Sequence, residues 1–267
     1  MRATGKVIVE VRVRYAILFS GMSFRRHVNG LEFCYRTLVE RLGFAPGNIQ
    51  VLSYDGSLRA FGDPEGAAPG PWPGDGTPYR MRVAAEGNRA AFQHAVRTLS
   101  AKLTADDQVY INTAGHGGHH GDEDGPDLIT YPFCERYKRV DFCTDLGELP
   151  AHQSLVVLMA QCFSGGFNRG VIGASHASAT FIASATSEQR QSFVLLDDRN
   201  WDAFQRNWVA ALGGHDVDGT PLAGNHATRR ITVGEAFEYA SSCARRSPYD
   251  SPEFAARPES ASATTLL

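Results

Sequence analysis

Short apolar runs alternate along the chain with stretches whose apolar residues recur at helical spacing. Residues 15–20 (YAILFS), 49–54 (IQVLSY), 107–113 (DQVYINT), 154–160 (SLVVLMA) and 180–185 read as strands. The run at 154–160 is apolar without a break, as in a strand covered on both faces. Leu31, Cys34, Tyr35, Leu38, Val39 and Leu42 mark one face of a helix over 28–42, which Gly43 ends. Asn88 opens a second helix reaching residue 103, with Ala91, Phe92, Ala95, Val96 and Leu99 on one face. Residues 202–212 and 233–242 read as two more helices. Between these elements, residues 55–80 are rich in Gly and Pro without a period and predict a long exposed loop.

Strand–helix–strand alternation at these lengths predicts an α/β protein: a mostly parallel sheet flanked by helices on both faces, in three layers. Right-handed crossovers then bring every strand's carboxyl end to one edge, where ligands bind in such sheets. The expected organisation is one domain over residues 1–255, with the exposed loop at 55–80 and regulatory or pocket loops at 186–232. Residues 256–267 read as a flexible tail.

With 267 residues, the chain is long enough to bury a core without a disulfide or metal staple. Its 26 basic and 29 acidic residues leave a net charge of −3, so no general attraction to nucleic acid is expected. No GxGxxG occurs, and no phosphate-loop lysine follows the glycines after 113 and 160. Five cysteines with no CxxC spacing read as reduced thiols, which predicts a cytoplasmic protein. Arg2, Lys6, Glu10, Arg12 and Arg14 interrupt the N-terminal apolar runs, so no signal peptide is expected. No stretch approaches the roughly 20 apolar residues of a membrane span.

Two residues stand just past predicted strands and carry chemistry. His116 follows 107–113 in the run AGHGG, and Cys162 follows 154–160 in QCFSGG. If the strands are neighbours, both side chains reach one crevice. A thiol and an imidazole are the minimal parts for nucleophilic acyl transfer. Gly117, Gly165 and Gly166 let backbone N–H groups approach a ligand, and the N–H groups of Gly117 and Cys162 are candidates for an oxyanion hole. Cys34, on the apolar face of its helix, reads as core.

These motifs resemble those of the caspase–metacaspase–legumain superfamily of cysteine peptidases. The resemblance covers residues 15–245. Residues 15–56 are similar to the family's first strand, helix and second strand, with Arg26 and His27 before the helix and Tyr54 and Asp55 after the second strand. Gly115, His116 and Gly117 resemble the catalytic His motif, and residues 160–165 (AQCFSG) the catalytic Cys motif. Residues 124–127 (DGPD) with Tyr131 and Pro132 resemble the acidic loop of metacaspases, and residues 183–207 look more like legumain. The resemblance implies a caspase-like fold, endopeptidase activity on protein or peptide substrates through Cys162 and His116, and control by an upstream activating protease or a partner. Ala160 stands where metacaspases and legumains carry a substrate-binding acid. Glu188 and Asp202 are the remaining acids expected at the substrate pocket, with Asp202 as counter-ion to an Arg or Lys before the scissile bond. Arg26 matches a pocket arginine of the superfamily and supports the competing case, selection of Asp or Asn.

The loop 117–127 also concentrates metal-ligand types: His119, His120, Asp122, Glu123, Asp124 and Asp127. No cofactor is required by the cysteine mechanism. Hard oxygen ligands at Asp122, Asp124 and Asp127 would suit Ca²⁺, which some metacaspases need. Two rival functions remain at this stage: a metal-dependent hydrolase built on the His/Asp loop, and an inactive caspase-like adaptor.

Overall fold

The computed structural model describes residues 12–66, 68–121, 125–132, 135–194, 197–223, 230–244 and 251–266. In chain order the first elements are β1 (Arg14–Ser20), α1 (Arg25–Glu40), β2 (Ile49–Ser53), β3 (Val83–Ala85), α2 (Arg89–Ser100) and β4 (Gln108–Ala114). Then come β5 (Gly117–His119), β6 (Pro126–Thr130), β7 (Glu135–Lys138), α3 (Arg139–Leu146), β8 (Ser154–Met159) and α4 (Asn168–Ala174). The last are β9 (Ala179–Ser184), α5 (Ala203–Gly213), α6 (Val233–Ala244) and β10 (Glu253–Arg257).

The main sheet has seven strands in the order β10-β9-β8-β4-β1-β2-β3. Every neighbouring pair is parallel except β9 with β10. The central strands β4 and β8 are buried along their whole length, which is why β8 reads as a nearly unbroken apolar run. Alternate residues of β1 enter two separate cores. Ala16 and Leu18 pack with α1, α5 and α6 through Val28, Leu31, Trp208, Val209, Val233 and Ala236. Tyr15, Ile17 and Phe19 pack with α2, α3 and α4 through Phe92, Val96, Phe142 and Val171. The molecule is therefore an α/β protein with three layers. A smaller antiparallel sheet, β5-β6-β7, grows from the carboxyl end of β4.

The segment expected to be a wholly exposed loop is only partly so. Ala60 and Trp72 are buried, and the Trp72 ring lies against Phe33 and Trp201. Arg36 clamps the segment: its guanidinium sits 4.2 Å over the Trp72 ring and donates to Asp75 at 2.6 Å and to Pro78 O at 2.8 Å. Buried Glu32 balances that charge and accepts the N–H groups of Arg80 and Met81. One large aromatic among glycines and prolines is enough to fold the loop onto a helix.

The predicted tail from 256 onward is corrected as well. Residues through Arg257 complete the antiparallel edge strand, and Ala261 and Leu266 are buried. Small residues such as Ala255 and Ala256 can hydrogen-bond through the backbone without an apolar run to announce a strand. Within the loops at 186–232, Arg206 holds Asp216 through two bonds of 2.8 and 2.7 Å, while residues 224–229 lie outside the described residues. No helix among the described residues is long and apolar enough to cross a membrane.

Candidate active site at the carboxyl edge of the sheet

Strands β4 and β8 pair in register, Thr113 opposite Met159, and the ladder continues with Ala160 N–H donating to Thr113 O at 2.9 Å. His116 and Cys162 each follow their member of the Thr113–Met159 pair by three residues. They leave adjacent strands at the same level. Thr113 Oγ1 donates to buried Gln161 Oε1 at 2.8 Å and ties the two strand ends together. The two turns also meet directly: a Cβ on Gly117 would lie 2.2 Å from Cys162 O and 3.0 Å from Gln161 Cγ. Only glycine permits that approach. Ile129 N–H donates to His116 O at 3.0 Å, which puts Gly117 at the next position of the β5–β6 ladder, with its N–H turned away from β6. Phe163, directly after Cys162, adopts φ 61°, a strained conformation for a large side chain. That turn sends the chain sharply away from the sheet, leaving Cys162 at its apex.

The thiol and the imidazole do not hydrogen-bond each other. Cys162 Sγ lies 3.8 Å from both the carbonyl oxygen and the hydroxyl of Ser192, whose Oγ donates to Ala160 O at 3.0 Å. Phe163 N–H donates to Arg190 O and Gly165 N–H to Thr186 O, both at 2.8 Å. Residues 186–192 thus arch over the sulfur. His116 packs edge-on against Phe24 (centroids 4.6 Å) and buried His27 (5.3 Å). Burial, with the Arg26 guanidinium nearby, lowers the His116 pKa below its ordinary value. The ring is accordingly a neutral base near pH 7.

Arg26 and Asp202, expected as alternative determinants of substrate charge, are partners of one another. Arg26 Nε donates to Asp202 Oδ1 at 2.8 Å, across 176 residues of sequence. Asp202 is also the residue preceding α5, and its Oδ2 lies 3.5 Å from His27 Nε2. Phe24 N–H donates to His27 Nδ1 at 3.0 Å, so the neutral imidazole carries its proton on Nε2, toward Asp202. Burial, Arg26 and His116 all push the His27 pKa well down. Asp202 is pushed up to about 6, since its burial outweighs the attraction of Arg26. Asp202, expected as counter-ion to a basic substrate side chain, is thus already paired with Arg26 within the chain. Glu188 is likewise engaged, 3.2 Å from Arg139 beside Gly166.

Of the candidate calcium ligands, Asp127 alone lies among the described residues. Asp127 is fully buried, accepts Gly118 N–H at 3.1 Å and is ion-paired with Arg136 and His120. Its carboxylate is spent on the β5–β6–β7 sheet. Asp122, Glu123 and Asp124 lie outside the described residues. No cluster of three His, Cys, Asp or Glu side chains among the described residues is arranged to hold a metal ion.

Phe24, His27 and Ser192 complete the surroundings of the pair, although the hydropathy pattern gives no reason to select them. Phe24 and His27 carry one faint signal: they follow β1, whose carboxyl end shares the edge with those of β4 and β8.

The chain is thus a three-layer α/β protein with a thiol and an imidazole on neighbouring strand ends. No protein-family model matches the sequence, and no curated protein does. The fold is similar to that of GSU0716 from Geobacter sulfurreducens, a structural-genomics target: the TM-score is 0.56 at 14% identity, over 91% of this chain and 93% of that one.

Proposed function

We propose that the protein is a cysteine endopeptidase of the caspase–metacaspase–legumain type, with Cys162 as nucleophile and His116 as general acid and base. The observation that carries this reading is the adjacency of the two turns, with Gly117 pressed against the Cys162 backbone. Neutral His116 takes the thiol proton as the sulfur attacks the scissile carbonyl. No acceptor among the described residues takes the Cys162 N–H. It and the outward Gly117 N–H are available to the oxyanion. Protonated His116 then gives its proton to the leaving amine, and water, activated by the same ring, hydrolyses the thioester. Catalytic hydrogen bonds are often open before substrate arrives, so the Cys162–Ser192 contacts are those of the resting state.

The Arg26–Asp202 pair bears on the residue before the scissile bond. At that pair an Arg or Lys meets a carboxylate already bonded to Arg26. An Asn amide can accept from the guanidinium and donate to the carboxylate, so the geometry favours the Asp/Asn case over the basic one. The four described cysteines are free thiols, consistent with action in a reducing compartment such as the cytoplasm. Control by proteolytic processing rests on the resemblance alone.

Peptide-library cleavage by the purified protein tests the reading. Cys162→Ala is expected to lower cleavage by roughly three orders of magnitude or more, and Cys34→Ala to leave it intact. Cys34 is buried, and that burial raises its thiol pKa to about 12. Cleavage abolished by a chelator but untouched by thiol alkylation would instead favour the metal-dependent hydrolase. A folded protein that cuts nothing would favour the adaptor.

A further inference from the structure

Neither ring nitrogen of His116 makes a hydrogen bond among the described residues. The acceptor that ordinarily fixes a working imidazole through its second nitrogen is therefore not what holds this ring. Two flat side chains meet it instead. Phe24 lies 4.6 Å from it between centroids, with the planes at 88°, and His27 lies 5.3 Å away at 83°. Phe24 and His27 are nearly parallel to one another, at 26° with centroids 5.9 Å apart. Both walls thus stand almost perpendicular to His116, and a turn of the imidazole about its Cβ–Cγ bond disturbs its packing on both at once.

Phe24 is itself held firmly. It precedes α1, its N–H donates to His27 Nδ1 at 3.0 Å, and its carbonyl accepts the His27 N–H at 2.9 Å. The Arg26 guanidinium lies 4.9 Å from the centre of its ring. The Phe61 ring is 6.0 Å away, on a loop whose Phe61 N–H donates to Ser23 O at 2.7 Å.

The chemistry gives a reason for an aromatic side chain at this place. A carboxylate beside an imidazole favours its charged form and raises its pKa. A hydrocarbon ring restrains the imidazole without adding charge, keeps water from its face and leaves both nitrogens open. Of the two influences that lower the His116 pKa, burial is the larger, and Phe24 is the closer of the two rings that pack on it.

We propose, as an inference that rests on the peptidase reading, that Phe24 is the positioning residue of the general base: its ring sets the direction in which His116 presents its nitrogens to the Cys162 thiol and the leaving amine. Phe24 acts only through His116. The test compares Phe24→Tyr, Phe24→Leu and Phe24→Ala on a peptide the native enzyme cuts, under conditions where urea unfolding shows each variant fully folded. Phe24→Leu keeps an apolar contact but no flat wall. Its kcat is expected to fall roughly tenfold to a hundredfold with KM unchanged, the scale of a misplaced catalytic group, while the acidic limb of kcat/KM stays in place. Phe24→Ala also admits water, so its acidic limb moves to higher pH, because lost burial lets His116 protonate more readily. An NMR titration of the His116 ring is expected to move the same way, a readout independent of turnover. Phe24→Tyr restores near-native kcat and limb. Where Phe24→Ala does not fold, the other two variants decide. Native kcat in Phe24→Leu, a loss in Phe24→Tyr as large as in Phe24→Leu, or an unmoved His116 titration in Phe24→Ala overturns the positioning role alone. Absence of Cys162-dependent cleavage by the native protein in every peptide overturns the peptidase reading and this role with it.

Discussion

Around His116 the charges are arranged so that each constrains the next. Arg26 is held by Asp202, Asp202 faces the Nε2 proton of His27, and His27 packs on the His116 ring. The positive end of that series lowers the His116 pKa. Removing it has a defined sign. In Arg26→Gln the repulsion is lost, which favours protonated His116. The acidic limb of the kcat/KM profile is therefore expected to move to higher pH, measured as the pH at which activity falls by half. Both ends of the candidate dyad were legible in the sequence because each follows an apolar run and its position needs only the strand boundary. The Arg26–Asp202 pairing was not legible: the two residues are 176 apart, and the packing of α1 against α5 brings them together.

Secondary structure was most visible where one face alone is buried or where a strand is covered on both sides. The helix opened by Asn88 is an example. The Asn88 side chain accepts the Ala91 N–H at 2.9 Å, and Phe92, Ala95, Val96 and Leu99 are the buried positions. Asn88→Ala is expected to cost about 1 kcal/mol, read as a lower midpoint in urea unfolding. The short elements were hidden for physical reasons. Strand β5 is Gly-Gly-His, a composition that reads as a loop, and it exists because β6 supplies hydrogen bonds. Helix α3 has a weak apolar stripe, burying only Phe142, Asp145 and Leu146 along its length. Strand β10 stands at an edge, and its outward side chains need no apolar period.

For the molecule as a unit, the two cores differ in what completes them. On the α1 side the loop carrying Trp72 completes the core, its ring lying against Phe33 and Trp201. Trp72→Ala is expected to cost about 3–5 kcal/mol in unfolding free energy. It should also expose residues 62–78 to limited proteolysis while α1 stays protected. Three-layer architecture was legible because alternation of element types dictates it. This packed loop was not, since a single Trp amid Gly and Pro gives no period.

The arch of residues 186–192 belongs to none of the three layers. It is fastened by Gly165 to Thr186, by Phe163 to Arg190 and by Ser192 to Ala160, each through one hydrogen bond. Lifting it breaks these bonds together with the Glu188–Arg139 pair and the Ser164–Thr186 contacts. A resting sulfur covered in this way meets small electrophiles sooner than bulky ones. Under the proposed peptidase reading, a substrate has to displace this one short stretch of chain to meet the sulfur.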